Sequence, residues 1–233
     1  MVMASHLIQG ERVTMPVEVR QASACSAMFL VPARTARSII DYSGLDVVEP
    51  LPGRAMCSLA FVRYVDSDLG PYHEFAIAFL ARRPGASKRE VGAFIHWLPV
   101  NQEFTLEAGR VIWGFPKEMA DIHLELDGPV QRCVVSAGGQ GVIDLRIGRG
   151  LPVPSGIART SVAAYTCLDG KLRRTPWVMR PGGVRSRPGG VRMELGEHPI
   201  AEELRRLGLP KAALGTSGIG RLEMTFADAE AVT

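Results

Sequence analysis

The sequence is poor in the features that commit a chain to a membrane, a metal or a disulfide framework. No apolar run approaches the roughly 18 residues that a membrane-spanning helix needs, so a soluble protein with no membrane partner is expected. The four cysteines, Cys25, Cys57, Cys133 and Cys167, are far apart, include no Cys-x-x-Cys and follow no secretory leader. They read as small buried hydrophobes in a reducing compartment, which makes the expected location cytoplasmic. The histidines, His6, His73, His96, His123 and His198, are scattered with no pair at metal-ligand spacing, and no metal site is expected. A formal net charge of +3, with no acidic or basic tail, is too slight to suggest a nucleic-acid partner.

What is present is enough for a packed core. Apolar residues make up 46% and charged residues 22% of 233 positions, so a single domain over residues 1–233 can form without staples. The pattern is mainly that of strands. Residues 55–65 and 72–80 are apolar runs joined by a Gly-Pro-containing loop, a hairpin signal that recurs at residues 132–137 and 142–147 around Gly138-Gly139. Residues 91–100 form another strand, and residues 102–107 a short turn. Helical spacing occurs at residues 33–40 and again at 200–207, where Pro199 begins and Gly208 stops an amphipathic segment. Residues 82–88, 151–156 and the twice-repeated Arg-Pro-Gly-Gly-Val-Arg at 180–185 and 187–192 read as loops, the last flexible and solvated. The fold class is therefore α+β, mainly antiparallel β, with a few short helices.

The one stretch that demands chemistry is Gly-Arg-Val-Ile-Trp-Gly-Phe-Pro-Lys-Glu-Met-Ala at 109–120. It sets Lys117 among aromatic and aliphatic neighbours. If the segment is extended, Trp113, Phe115, Lys117 and Met119 share one face and Glu118 points to the other. Enclosure removes hydration from the ammonium and lowers its pKa from an ordinary value of about 10.4. A thousandfold shift toward the free amine takes about 4 kcal/mol, which burial alone can supply. The plain alternative is a lysine that snorkels from a strand end. Pro116 suits a bulge that re-aims the next side chain. Glu74 enters an apolar strand beside Tyr72, either at a wet sheet rim or in a pocket. His96 sits in an apolar strand as a core or pocket residue.

Three motifs together resemble the acetoacetate decarboxylase family: Gly-Arg-x-x-x-Gly-Phe-Pro-Lys at 109–117, Gly-Pro-Tyr-x-Glu at 70–74 and His-Pro-Ile-Ala-Glu-Glu-Leu at 198–204. The resemblance spans roughly residues 12–226. It implies a curved antiparallel sheet closing into a cone-like barrel, commonly in homo-oligomers, and a Schiff base between Lys117 and a small β-keto acid. It places Glu74 in the site as its carboxylate and Arg20 near the substrate carboxylate, with Trp113, Phe115, Met119 and His96 as further substrate-binding candidates. No cofactor is implied, because the lysine itself supplies the electrophile.

Two positions depart from the family. A second lysine usually follows the first, and here Glu118 stands there. Acetoacetate decarboxylase is the general example of a lysine activated by a neighbouring cation, so that aid is missing. A glutamate facing Lys117 at about 6 Å would favour the ammonium by about 3 kcal/mol at an effective dielectric of about 20. A second acid on the preceding strand falls near Ser58 or Leu59, and neither is an acid. The expected function is thus a lyase that releases carbon dioxide from a β-keto acid. An imine-forming aldolase-dehydratase on pyruvate-like acids and a non-catalytic small-molecule-binding domain stand as alternatives.

Overall fold

The computed structural model describes residues 4–87, 90–154 and 160–232. A hairpin, β1 (Ser5–Ile8) and β2 (Glu11–Thr14), precedes the long β3 (Val17–Pro32), which runs directly into α1 (Ala33–Ile40). After a short β4 (Asp46–Val47) come β5 (Arg54–Ser67), β6 (Tyr72–Arg82) and β7 (Gly92–Val100). Then follow α2 (Glu103–Ala108), β8 (Lys117–Met119), β9 (Asp121–Glu125), β10 (Val130–Ala137), β11 (Gln140–Gly148) and β12 (Leu151–Pro152). The chain finishes with β13 (Thr160–Leu168), β14 (Lys171–Arg187), β15 (Val191–Leu195), α3 (Pro199–Arg206), β16 (Gly215–Phe226) and β17 (Glu230–Ala231).

One sheet closes on itself. Its strands follow one another as β6-β5-β3-β16-β14-β13-β7, and β7 pairs back onto β6 to complete a barrel. The neighbours are antiparallel except β13 and β7, which meet in parallel register at Ala164↔Ala93 and Tyr165↔Phe94. A second sheet, β15-β11-β10-β9, lies against the outside of the barrel. The cone-like barrel with a few short helices is therefore present.

Strand alternation shows why the barrel is hollow. Along β6, Phe75, Ile77, Phe79 and Ala81 point outward and are almost fully buried against the second sheet. The intervening Glu74 and Ala76 point inward, where they meet Ala60 and Val62 of β5. Along β5 and β6, then, large side chains sit between the sheets, while Ala60, Val62 and Ala76 leave the lumen open on this side. The outer layer carries most of the hydrophobic burial, with Phe29, Phe61, Phe75, Phe79 and Phe94 all at most 1% exposed. α1 packs Ala33, Ala36, Ile39 and Ile40 into this layer, and α3 adds Leu204.

Several local expectations change. The repeat at 180–192 is not a solvated loop. Its first copy lies inside β14, where Arg180 pairs with Glu223 and Val184 with Ile219 of β16, and Gly183, at φ 64°, takes up the one irregular position. Its second copy supplies the Pro188-Gly189-Gly190 turn into β15. The ladder decides here, because β16 pairs with β14 through this stretch as far as Arg187. The turn expected at residues 102–107 is the helix α2. Leu151 and Pro152 pair with Ser186 and Arg185, whereas Ser155 and Gly156 of the loop expected at 151–156, and Lys88 of that at 82–88, lie outside the described residues.

Since the interface between barrel and second sheet holds the large side chains, Phe75→Ala should cost about 3–5 kcal/mol. Urea unfolding monitored by circular dichroism should show the lowered midpoint, while Val65→Ala, at a position 45% exposed, should stay within about 0.5 kcal/mol of the parent.

Candidate active site

The local chain path delivers Lys117 into the barrel. Gln102 caps α2 by accepting from Thr105 N at 2.6 Å, and its Nε2 donates to Leu69 O at 3.1 Å, which ties the helix to the β5–β6 turn. Residues 109–113 widen into a π-helical turn, a form frequent at functional sites. It ends at Gly114 in the left-handed region, φ 63°, where a Cβ would stand 2.0 Å from Arg173 Nη1. Gly109 serves differently. A Cβ there would lie 2.5 Å from Lys117 Cδ and 2.8 Å from Cε, so the bare glycine is the floor along which the lysine stem runs. Both glycines of the 109–117 motif thus have a steric reason to be glycine.

At the end of that stem, Lys117 Nζ lies 3.1 Å from Glu74 Oε2 and donates to Thr105 Oγ1 at 3.0 Å. It also stands 4.9 Å from the centre of the Tyr72 ring, within cation–π range. The other oxygen, Glu74 Oε1, accepts from Tyr64 Oη at 2.9 Å. Tyr64 and Tyr72 are direct partners in the β5–β6 register and stack with ring centres 4.1 Å apart. Lys117 is 3% and Glu74 8% exposed, so water does little to satisfy either.

Burial and ion pairing pull Lys117 in opposite directions. Loss of hydration lowers its pKa, while the Glu74 charge and hydrogen bond raise it; burial is the larger effect and the net direction is down. The pair is net neutral whether its shared proton sits on nitrogen or on the carboxylate. Burial and the adjacent Glu74 charge push Tyr64 and Tyr72 well above the ordinary phenol range, which keeps both as O–H donors. Glu118 takes no part in this cluster. It accepts from Trp97 Nε1 on the opposite side of β8, so the alternation that turns Lys117 inward turns Glu118 outward.

These groups open onto a cavity of about 270 Å³ inside the barrel. Lys117, Glu74, Trp113 and Phe115 line it together. Trp113 does so from the π-helical turn and not from an extended strand, held by Nε1 donating to Ala227 O at 2.8 Å and by its carbonyl accepting from Thr166 Oγ1 at 2.8 Å.

Three candidates lie elsewhere. Arg20 follows the inward Val19, faces outward and pairs with Asp66 at 2.7 Å and Asp68 at 2.6 Å. Met119 is 44% exposed because β8 is only three residues long and Met119 pairs with Val100, the last residue of β7, before the chain crosses to the second sheet. His96 is the extra residue in the β6–β7 ladder, where Ala78 faces Ile95 and Ile77 faces Trp97. That bulge turns it out to Glu203 of α3 at 2.7 Å and to Tyr42 Oη at 3.1 Å. Sequence reasoning missed Tyr64, Tyr72 and Thr105. The first two could have been found by placing the hairpin in register, since Tyr72 shares the parity of Glu74; Thr105 could not, because it is brought in by α2.

A free amine beside a carboxylate, in an apolar chamber with two phenol donors, can attack a carbonyl and pass its protons to a neighbour. The fold and these groups define a barrel protein with an enclosed lysine. The acetoacetate decarboxylase family, described as Acetoacetate decarboxylase (ADC), matches residues 8–230, and the chain belongs to that family. No curated protein matches it by sequence. Among solved structures it is similar to acetoacetate decarboxylase from Legionella pneumophila, at 18% identity and a TM-score of 0.73, over 94% of this chain and 87% of that one. An acetoacetate decarboxylase-like enzyme from Sphingomonas wittichii RW1 superposes at 15% identity and a TM-score of 0.72, over 100% of both chains. The enduracididine biosynthesis enzyme MppR complexed with pyruvate superposes at 15% identity and a TM-score of 0.70, over 94% of this chain and 90% of that one. At these identities the likeness is one of fold.

The Gly109 floor should be intolerant. Gly109→Ala should displace the lysine stem and slow amine acylation at Lys117 by about 100-fold, read by peptide mass spectrometry, with the circular dichroism spectrum retained. In the parent, the free amine forms as pH rises through the Lys117 pKa. Because that pKa is lowered, acylation of Lys117 should reach half its plateau below pH 10.5.

Proposed function

We propose that this protein is a lyase that joins Lys117 to the ketone of a β-keto acid as a Schiff base and releases carbon dioxide. The observation that carries the reading is the enclosed Lys117 amine with its pKa lowered by burial, 3.1 Å from Glu74. A non-catalytic binding domain would have no use for that arrangement. A lysine at its ordinary pKa would fit such a domain better.

The steps follow from the pair. With the shared proton on Glu74, the neutral amine adds to the ketone carbon. Glu74 then protonates the departing hydroxyl, and loss of water leaves an iminium on Lys117 with the Glu74 carboxylate beside it. The carbon–carbon bond to the carboxylate breaks, carbon dioxide leaves, and its electron pair flows into the iminium to give an enamine. A proton taken up from solvent through Glu74 is added at carbon; water then adds to the iminium, its proton returns to Glu74, and the ketone and the free amine are released. The net change is one β-keto carboxylate and one proton to one ketone and one carbon dioxide. Activation by a second lysine is replaced by desolvation, since Glu118 faces away.

The lining of the cavity favours loss of the carboxylate over its retention. No arginine is among the described lining residues, and Lys117 is their one cation. During reaction that cation is the iminium, already matched by Glu74. A substrate carboxylate therefore sits without a cation of its own in low dielectric, and its departure as neutral carbon dioxide relieves that cost. An aldolase-dehydratase acting on a pyruvate-like acid must hold the carboxylate through every step. That reading draws support from the likeness to MppR, complexed with pyruvate, and from the missing second lysine. A small keto acid as substrate, no added cofactor and a homo-oligomeric assembly complete the proposal.

Incubation with acetoacetate or pyruvate followed by borohydride should leave a mass increase on the peptide holding Lys117, with carbon dioxide released from acetoacetate. Lys117→Ala should abolish both, and Glu74→Gln should lower kcat by about 10²–10⁴. Adducts spread over surface lysines, or an adduct with pyruvate but no carbon dioxide from any β-keto acid, would count against decarboxylation.

A further inference from the structure

The cavity extends well beyond its polar corner, and its walls specify what fills it. Lys117, Glu74 and Tyr64, with Thr105 behind them, form one hydrogen-bonded cluster; the other polar lining residues are Tyr72 and the uncharged Ser26, Ser67 and Ser217. Away from that cluster, strand register builds a continuous apolar wall. On β16, Phe226 is flanked in the ladder by Trp177 of β14 and Val17 of β3, and Met224 is flanked by Met179 and Val19. All six line the cavity. Phe226 also packs on Trp113 with ring centres 5.8 Å apart, which carries the wall up to the segment that holds Lys117.

Acetoacetate would leave most of this wall bare. Its ketone carries a methyl group, whereas the wall offers two aromatic rings, two valines and two methionines. The methionines adapt to chains of differing shape, and the rings and valines fix a slot between them. Small inward residues, Ala24 on β3, Ala60 on β5 and Ala76 on β6, keep the space open. A keto acid whose far end carried a second charge would meet no partner there.

We infer that the substrate is a hydrophobic β-keto acid, whose ketone bears an alkyl chain of several carbons seated on the wall formed by β3, β16 and β14, and that the product is the corresponding methyl ketone. This rests on the imine reading above. The balance is that of any β-keto acid: the bond between C1 and C2 breaks, carbon dioxide departs, and a proton from the site and solvent takes its place on C2. The tail takes no part in bond making; its contribution is burial.

The test is a homologous series with the intact protein: acetoacetate, 3-oxohexanoate and 3-oxooctanoate, each assayed for methyl ketone by gas chromatography and for the borohydride adduct on Lys117. Burial of one methylene stabilises by about 0.8 kcal/mol, so kcat/KM should rise about fourfold per methylene until the slot is full. Met224→Thr should flatten that rise. A series in which adducts form but kcat/KM is level or falls with chain length would overturn the inference and leave the Schiff base standing. No adduct with any of the three acids, in protein whose circular dichroism spectrum is native, would overturn the Schiff-base reading and the inference with it.

Discussion

Everything in this protein depends on one dehydrated ammonium. Taking Lys117 out of water is costly, and the structure offsets that cost only in part, with one carboxylate oxygen, one threonine hydroxyl and the face of one tyrosine. The balance is poised so that burial still outweighs Glu74 and the pKa falls. A more generous set of partners would hold a lysine permanently charged. A less generous one would leave no base to take its proton.

The barrel is the device that sustains this balance. A closed sheet has no edges to admit water through unpaired backbone groups, and along β5 and β6 inward residues can be small because the outward ones do the packing. The large phenylalanines sit between barrel and second sheet, so the lumen need not be filled for the protein to be stable. Stability and site are therefore separated onto the two faces of the same strands. β6 shows this within four residues: Phe75 and Ile77 hold the fold, and Glu74 and Ala76 shape the chamber.

Glu118 illustrates how an apparent contradiction dissolves. A carboxylate next to Lys117 along the chain would raise the lysine pKa if the two met. They do not meet, because adjacent residues of a strand face opposite sides, and Trp97 occupies Glu118 in the outer layer. What lowers the Lys117 pKa is burial, with Glu118 on the other side of the strand.

The sequence by itself determined the local elements with strong periodicity, the hairpins at β5–β6 and β10–β11 and the helices α1 and α3, because alternation and helical spacing follow from burial on one face. It also pointed to Lys117 and Glu74 through two motifs, the first with glycines at 109 and 114 that have steric causes. What only the tertiary structure decided was which side chains share the chamber. Arg20 and His96 were turned away by strand parity and a bulge, Met119 by the short reach of β8, and Tyr64 and Thr105 were brought in from a cross-strand partner and a neighbouring helix. Such choices rest on ladder register and barrel closure, which join residues far apart in the chain, and a single extra residue in a strand reverses them.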